Sequence, residues 1–250
     1  MTKILVIAGT ADGVDFIKAT PPNFEITATT FSKLGEECIA PRKNLTIITG
    51  ALAKEGFIKL INENHLTHIV DMSHPFAVEV SKNAFEAAQA LSLPYFRYER
   101  ESMEKMENRI DYPDFPTAVE NLEDIKGNLL LTIGSRNLHY FTKLSDFYQR
   151  CYVRVLASSK IMLELEEMQI DPGHIFAMKG VASKDLNIAL AKEINAQAII
   201  TKDSGLKGGM AEKYQAAKEL NIPLIVISKP QSLGKKYTNF TDIINEIGRD

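Results

Sequence analysis

The chain alternates between short apolar runs and longer stretches in which apolar residues recur every three or four positions. Stretches of the second kind, such as 51–64 and 81–93, have helical periodicity, whereas the apolar runs have the length of strands. The runs lie at 3–9, 24–30, 45–49, 67–72, 94–98, 128–134, 152–157, 174–178, 197–202 and 223–228. Strands that alternate with helices predict an α/β protein with mainly parallel sheets.

The two halves of the chain also resemble each other. "LVIAGT" (5–10) aligns with "LLTIGS" (130–135), and "IVDMSH" (69–74) aligns with "ITKDSG" (200–205). Segments 69–74 and 200–205 are each followed by a predicted helix with an Ala-Ala pair and then by Leu-x-(Leu/Ile)-Pro. This repeat predicts two similar Rossmann-like domains that face each other across a cleft. We place them at 1–126 and 127–250, with the boundary in a polar segment and with 229–250 as an added strand and helix on either domain.

Composition and charge narrow the class of protein. An apolar share of 45% and a charged share of 24% are typical of a globular protein, and a net charge of −3 argues against broad binding of nucleic acid. No apolar run approaches the roughly 20 residues that span a bilayer. Cys38 and Cys151 form no CxxC pair, and the histidine spacing suits no zinc site. We therefore expect a cytoplasmic protein with reduced cysteines and no metal, as a monomer, with an oligomer left open.

Polar segments follow several of the predicted strands. In open parallel sheets, ligands bind beyond the carboxyl ends of the strands, where helix N-termini point toward the ligand. Glycine allows a ligand to approach the backbone, and hydroxyls and free helix N–H groups favour anions. The segments with these properties are 9–13, 71–76, 134–136 and 202–209. The sequence therefore predicts a ligand site at these strand ends, between the two domains.

Each of these segments also has a purely structural interpretation. "AGTADG" (8–13) lacks the full G-x-G-x-x-G spacing, so Thr10 or Asp12 would simply cap a helix. Ser73-His74-Pro75 fits an ordinary helix start, which leaves Asp71 and His74 unexplained. Gly134-Ser135-Arg136 could equally be a helix cap followed by a solvated arginine. Segment 201–213 holds three glycines, three lysines and a serine, a composition that favours a loop closing over an anion, with a mobile surface loop as the alternative.

Together these motifs resemble the precorrin-6A reductase family, in the same order and over nearly the whole chain. The resemblance is carried by "AGTADG" (8–13), "DMSHPFA" (71–77), "RYER" (97–100), "TIGSRNL" (132–138) and "TKDSG" (201–205). It implies reduction of one double bond of a corrin-ring precursor, with or without cobalt, in cobalamin biosynthesis. A reduced nicotinamide nucleotide would supply the hydride, so no metal or covalent nucleophile is required.

The chain departs from the family pattern at several positions. The family usually begins Gly-Gly-Thr-x-Glu-Ala, whereas this chain has Ala8, Asp12 and Gly13 in place of the first glycine, the glutamate and the alanine. Asp203 stands where asparagine is frequent. A carboxylate there would repel an anionic ligand unless Lys202 or Lys207 pairs with it.

The resemblance and the strand-end rule together give candidate site residues. The expected cofactor-binding residues are Gly9, Thr10, Ala11, Asp12, Ser32, Lys33, Gly50, Ser73, Thr132, Gly134, Ser135, Arg136, Ser204 and Gly205. The expected substrate-binding residues are Asp71, His74, Pro75, Phe76, Arg97, Arg100, Lys202, Asp203, Lys207 and Lys213. The cationic members of the second set would hold the carboxylate arms of a corrinoid substrate.

His74 is the candidate catalytic residue, because reduction needs a proton as well as a hydride. The alternative is that His74 binds the cofactor or fixes its own loop. After the second strand, Ser32 and Lys33 occur without an early acidic residue, which favours NADPH, with NADH possible.

Two other functions stay open at this point. One is a different NAD(P)-dependent reductase or epimerase, although no Tyr-x-x-x-Lys pair lies at a suitable strand end. The other is a non-catalytic two-lobed protein that binds an anionic ligand.

Overall fold

The computed structural model describes residues 2–100, 107–205 and 208–249. The chain divides into two compact units. Unit 1 comprises Met1–Arg100 and Gln231–Asp250, and unit 2 comprises Glu101–Pro230. The chain therefore leaves unit 1 once and returns to it near the C-terminus.

Unit 1 contains a six-stranded sheet with helices on both faces. Its strands are β1 (Lys3–Ile7), β2 (Glu25–Thr30), β3 (Leu45–Thr49), β4 (His68–Asp71), β5 (Tyr95–Tyr98) and β12 (Lys235–Tyr237). Its helices are α1 (Ala11–Ala19), α2 (Lys33–Glu37), α3 (Lys54–Asn64), α4 (Val78–Ala90) and α11 (Phe240–Ile247). All neighbouring strands are parallel, in the order β12-β5-β4-β1-β2-β3.

Unit 2 repeats this design with a second parallel sheet. Its strands are β6 (Arg109–Tyr112), β7 (Asn128–Leu131), β8 (Cys151–Val155), β9 (Ile175–Ala177), β10 (Ala196–Lys202) and β11 (Leu224–Ile227). Its helices are α5 (Phe115–Leu122), α6 (Leu138–Phe141), α7 (Phe147–Arg150), α8 (Ser159–Glu167), α9 (Lys184–Glu193) and α10 (Met210–Leu220). The strand order is β6-β11-β10-β7-β8-β9.

The predicted fold class is confirmed. All ten apolar runs form strands, and the helical stretches 51–64 and 81–93 correspond to α3 and α4. Each sheet places its strands in the same order around a central first strand, β1 or β7, as in Rossmann-like folds. The sequence repeat therefore reflects two units of one design.

The boundary between the units differs from the predicted one at 126/127. β6 belongs to unit 2 because it pairs with β11, with Arg109 opposite Leu224, and β12 belongs to unit 1 because it pairs with β5, with Lys235 opposite Phe96. Each repeat thus ends in a strand and a helix that complete the other unit's sheet. Segment 229–250 does supply a strand and a helix, and they join unit 1.

Alternation along β1 shows how the sheet of unit 1 is covered. Ile4 and Val6 pack in one apolar cluster with residues of α1 and α11, whereas Leu5 and Ile7 pack in another with residues of α3 and α4. A strand that is buried on both faces reads as a continuous apolar run, as "ILVI" does here. Among the described residues, no helix is both long enough and apolar enough to cross a membrane.

Candidate active site

Each sheet has one place where successive connections run in opposite directions. In unit 1 it lies between β1 and β4, because the chain continues from β1 to β2 on one side and returns to β4 on the other. In unit 2 it lies between β7 and β10 for the same reason. Loops diverge beyond the carboxyl ends of such strand pairs and leave a crevice that binds ligands in this class of fold.

Thr10 joins the two loops at this point of unit 1. It precedes α1, and its hydroxyl oxygen accepts a hydrogen bond from Gly13 N at 3.2 Å, which caps the helix. The same hydroxyl donates to Met72 O at 2.8 Å, and Met72 N donates to Ile7 O at 3.1 Å. The structural interpretation of Thr10 as a cap is therefore correct, and the residue also fixes the loop after β4.

A buried polar network supports the loop after β4. Asp71 is fully buried, and one carboxylate oxygen accepts from Arg97 Nη1 at 2.7 Å and from Ser73 N at 2.8 Å. The other oxygen accepts from the hydroxyls of Ser81 and Tyr95, each at 2.6 Å. Arg97 Nη1 also donates to Ser73 Oγ at 2.8 Å. Both ends of this loop are thus tied to one carboxylate.

Burial decides what Asp71 and Arg97 do in this structure. The side chain of Asp71 is 0% exposed and that of Arg97 is 3% exposed. Their polar contacts therefore lie inside unit 1, with each other and with the loop after β4. Burial and the neighbouring Asp71 carboxylate raise the pKa of Tyr95, which keeps its phenol protonated as a donor. Substrate contact by Asp71 and Arg97 stays a prediction, whereas their hydrogen bonds to Ser73 are direct.

His74, Pro75 and Phe76 form the half-buried turn that leads into α4. Phe76 N donates to His74 Nδ1 at 3.2 Å. Because Nδ1 must accept this bond, the neutral ring carries its proton on Nε2. The turn therefore sets the tautomer of the candidate catalytic residue.

Asp12 and Arg100, which we assigned to cofactor and substrate respectively, pair with each other. Arg100 Nε donates to Asp12 Oδ2 at 2.5 Å, and the Asp12 side chain is only 3% exposed. The pair links the first turn of α1 to the chain just after β5. The positive charge of Arg100 is therefore partly compensated within unit 1.

The other candidate cofactor residues of unit 1 lie at the same edge of the sheet. Gly9, Ala11, Ser32, Lys33 and Gly50 follow β1, β2 or β3, and all are exposed. A Cβ atom placed on Gly9 or Gly50 would meet no described atom within 4 Å. The backbone here is open to close approach, as binding of a nucleotide requires.

The corresponding edge of unit 2 has a similar loop after β7. Thr132 donates from both its N–H and its hydroxyl to Ile200 O, each at 2.8 Å, which ties this loop to β10. Gly134 has a φ of +77°, and a Cβ there would meet no described atom within 4 Å. Ser135 is half-buried and Arg136 is exposed in the following 3₁₀ turn. The structure thus brings these four predicted residues together.

The loop after β10 contains the second set of unit 2 candidates. Asp203 Oδ1 accepts from Gly205 N at 3.4 Å, and Ser204 Oγ donates to Gly208 O at 3.4 Å. Asp203 and Ser204 are buried. Lys207 lies outside the described residues, so its assignment stays a prediction.

Two lysines at this edge have lowered pKa values. Burial and the charge of Arg136 lower the pKa of Lys202 to about 8. Burial, aided by Arg154, lowers the pKa of Lys213 to about 7. Both amines thus titrate closer to neutrality than an exposed lysine does.

Sequence reasoning missed several members of these networks. Tyr95, Ser81, Arg154 and Asn187 are assigned no role by any motif, yet each binds a polar group at a strand end. The available signal was weak: a polar residue interrupts an apolar strand or helix face where a core residue would be expected.

These observations define a class of protein. It has two Rossmann-like units, each with polar, glycine-containing loops at the point where the strand order reverses, which is where this class of fold binds ligands. Residues 3–248 match the family described as Precorrin-6x reductase CbiJ/CobK, so the chain belongs to the precorrin-6x reductase family.

Individual relatives agree with this membership. The cobalt-precorrin-6A reductase of Priestia megaterium is 33% identical over 98% of this chain and 97% of that relative. The precorrin-6A reductase of Mycobacterium tuberculosis H37Rv is 26% identical, over 92% of this chain and 90% of its own. A solved structure, CobK precorrin-6A reductase, shares the fold with a TM-score of 0.79 and 20% identity, covering 100% of this chain and 97% of its own.

Membership decides between the functions left open by the sequence. The chain is an oxidoreductase that reduces a C=C bond of a corrin-ring precursor in cobalamin biosynthesis, with a nicotinamide nucleotide as its hydride source. The epimerase and the non-catalytic binder are set aside.

One departure from the family pattern has a measurable structural reason. A Cβ atom on Gly13 would lie 2.6 Å from Ala8 Cα and 3.0 Å from Ala8 Cβ, so the first turn of α1 packs closely against the residue that follows β1. We expect Gly13→Ala to lower the free energy of unfolding by about 1–3 kcal/mol through overpacking. Urea unfolding of the variant measures this loss.

The companion change Ala8→Gly provides the control for Gly13→Ala. Together with Gly13→Ala it gives the arrangement of glycine at 8 and alanine at 13 that the resemblance implies, and it removes one of the crowded atoms, Ala8 Cβ. A double-mutant cycle should therefore give a smaller loss for Gly13→Ala in the Ala8→Gly background. Equal losses in both backgrounds would mean that Ala8 Cβ has no part in the crowding.

Proposed function

We propose that the chain reduces cobalt-precorrin-6A with NADPH. The cobalt-containing substrate is supported by its relatives from Priestia megaterium and Methanothermobacter thermautotrophicus, both named cobalt-precorrin-6A reductase, at 33% and 32% identity. NADPH is supported by Ser32 and Lys33, which are exposed after β2, the position that reads the ribose 2′ substituent in this class of fold.

The observation that carries the nucleotide assignment is the joining of the β1 and β4 loops by Thr10, next to the open backbone of Gly9. Glycine without a nearby neighbour and the N-terminus of α1 suit a phosphate group. Gly134 to Arg136 offer the same features in unit 2, and we propose that they contribute to cofactor binding as well. The bound nucleotide supplies the hydride.

Residues of the chain supply binding and the proton. The turn 74–76 holds the His74 ring with its proton on Nε2, from which we propose it is delivered to the second carbon of the reduced bond. Lys202, which has a lowered pKa, and Arg100 are the proposed anchors for carboxylate arms of the corrinoid. Ser204 and Gly205, in the loop after β10, are further proposed contacts of the cofactor.

The test is a steady-state assay with two substrates and two nucleotides. We expect kcat/KM to be highest for cobalt-precorrin-6A with NADPH. Lys33→Ala should then lower kcat/KM with NADPH by about tenfold, because it removes one charged contact to the 2′-phosphate, and should leave NADH nearly unaffected.

Lys18→Ala is the matched control, because Lys18 is an exposed lysine in the last turn of α1, away from the proposed phosphate site at the start of that helix. It should leave both nucleotides unaffected. Equal kcat/KM values for NADPH and NADH in the native chain would refute the cofactor preference. A higher value with cobalt-free precorrin-6A would refute the proposed substrate.

A further inference from the structure

Unit 2 contains two cations on the side of its sheet that α9 and α10 cover. Arg154 lies two residues after Tyr152 in β8, so its side chain leaves the strand on the same face, where Tyr152 packs against the core. Arg154 Nη1 donates to Asn187 Oδ1 of α9 at 2.7 Å. Lys213, on α10, is only 4% exposed, and its Nζ donates to Gly208 O at 2.9 Å.

The partners of these two cations are neutral. Asn187 is fully buried, and its amide NH₂ donates to Ala182 O at 3.1 Å and Ser183 O at 2.8 Å, which fixes its oxygen toward Arg154. Within residues 2–100, 107–205 and 208–249, neither Arg154 nor Lys213 has a carboxylate oxygen within ion-pair distance. A buried charge whose partners are neutral is costly.

The charges that act on Lys213 come from three elements. Arg154 on β8 and Lys202 on β10 both disfavour its protonation, and Glu212 on α10 favours it. With burial as the largest cause, the pKa of Lys213 is lowered to about 7. Around Lys213, two cations, Arg154 and Lys202, thus act against one carboxylate, Glu212.

The strand-end network of unit 1 provides a contrast within the same molecule. There the buried cation Arg97 has a buried carboxylate, Asp71, as its partner at 2.7 Å. Lys202 stands in the sequence repeat where unit 1 has Asp71. Unit 2 therefore has a cation, Lys202, at the position where unit 1 has the carboxylate that neutralises Arg97.

We propose that Lys213 and Arg154 form an anion site in unit 2, which binds either a phosphate of the nucleotide or a carboxylate of the tetrapyrrole. The proposal rests on the proposed function only for the source of the anion. Lys213 lies in the N-terminal part of α10, which begins three residues earlier, so the positive end of the helix dipole also favours an anion there.

Anion binding at this site is coupled to protonation of Lys213. A bound anion favours the ammonium form and raises the pKa of Lys213 above its value of about 7 in the free protein. Below that pKa the lysine is already charged, so binding takes up no proton. Above it, binding takes up a proton and the affinity falls as pH rises.

Calorimetric titration of the full chain tests the site without turnover. The probes are 2′,5′-ADP as a source of phosphate and uroporphyrin III as a tetrapyrrole polycarboxylate, each at pH values below and above the Lys213 pKa. Each titration is repeated in two buffers of different ionisation enthalpy, which measures proton uptake. We expect one of the two probes to bind about tenfold more weakly at the higher pH than at the lower one. At the higher pH its binding should also be accompanied by proton uptake.

Three variants separate charge from structure. Lys213→Met should weaken the same probe about tenfold at the lower pH, because it removes one charged contact. Lys213→Arg should bind that probe equally at both pH values and without proton uptake. Lys218→Met is the control, because Lys218 is an exposed lysine on the same helix, and it should bind as the native chain does.

The response of each probe identifies the anion. A response confined to 2′,5′-ADP assigns the site to the nucleotide, and one confined to uroporphyrin III assigns it to the substrate. Equal affinities of the native chain and Lys213→Met for both probes, with unchanged proton uptake, would overturn the proposal. Because no reduction is measured, this result is independent of whether cobalt-precorrin-6A is the substrate.

Discussion

Replacing Arg97 with methionine should lower the free energy of unfolding by about 3–5 kcal/mol, because it leaves a fully buried carboxylate without its cation. Methionine fills part of the volume of the arginine stem, so the loss comes mainly from charge. Asp71 would keep its bonds from Ser73 N, Ser81 and Tyr95, which compensate only part of the buried charge. Urea unfolding followed by circular dichroism measures the change from the shift of the midpoint.

Two controls make this measurement specific. Lys59→Met removes one member of an exposed pair, Lys59–Glu63, at 3.8 Å, and should leave the midpoint nearly unchanged. The double variant Asp71→Asn, Arg97→Met removes both charges and should be more stable than the sum of the two single losses predicts. If Arg97→Met unfolds at the native midpoint, the ion pair does not stabilise the loop as the geometry indicates.

The strands were predictable because burial on both faces produces continuous apolar runs. β6 was missed, and β12 was expected only as a strand of undecided place within 229–250, because neither is an apolar run: β6 is Arg-Ile-Asp-Tyr, and β12 is Lys-Lys-Tyr with both lysines exposed. The exchange of these strands between units was not predictable either. A sequence repeat fixes which segments are alike, whereas hydrogen bonding between strands decides which sheet each one joins.

The candidate site was predictable to the extent that it depends on strand ends. Gly9, Thr10, Ser73 and Gly134 follow strands whose order places them at the edge of the sheet where this class of fold binds ligands. The direction of a charged side chain was not predictable, because it depends on partners from distant segments. Arg97 was assigned to the substrate because of its positive charge. In the structure its guanidinium is buried because it pairs with the Asp71 carboxylate of the neighbouring strand.

Replacing His74 with alanine should lower kcat by about 10²–10⁴, the usual contribution of a general acid, because the variant has no ring proton to deliver. It also removes the acceptor for Phe76 N. The loss alone would therefore not distinguish proton delivery from support of the loop, the two roles that the sequence left open.

His74→Asn separates these roles. The asparagine side-chain oxygen accepts readily from a backbone N–H two residues on, so it preserves the bond to Phe76 N, but the amide is not a proton donor of the required acidity. If His74 is the acid, the asparagine variant should be as slow as the alanine variant, and the native pH dependence of kcat should be lost in both. Its dissociation constant for NADPH, measured by nicotinamide fluorescence, should stay close to the native value. Near-native kcat for His74→Asn, with a slow alanine variant, would assign His74 to the loop instead, and another group would then have to supply the proton.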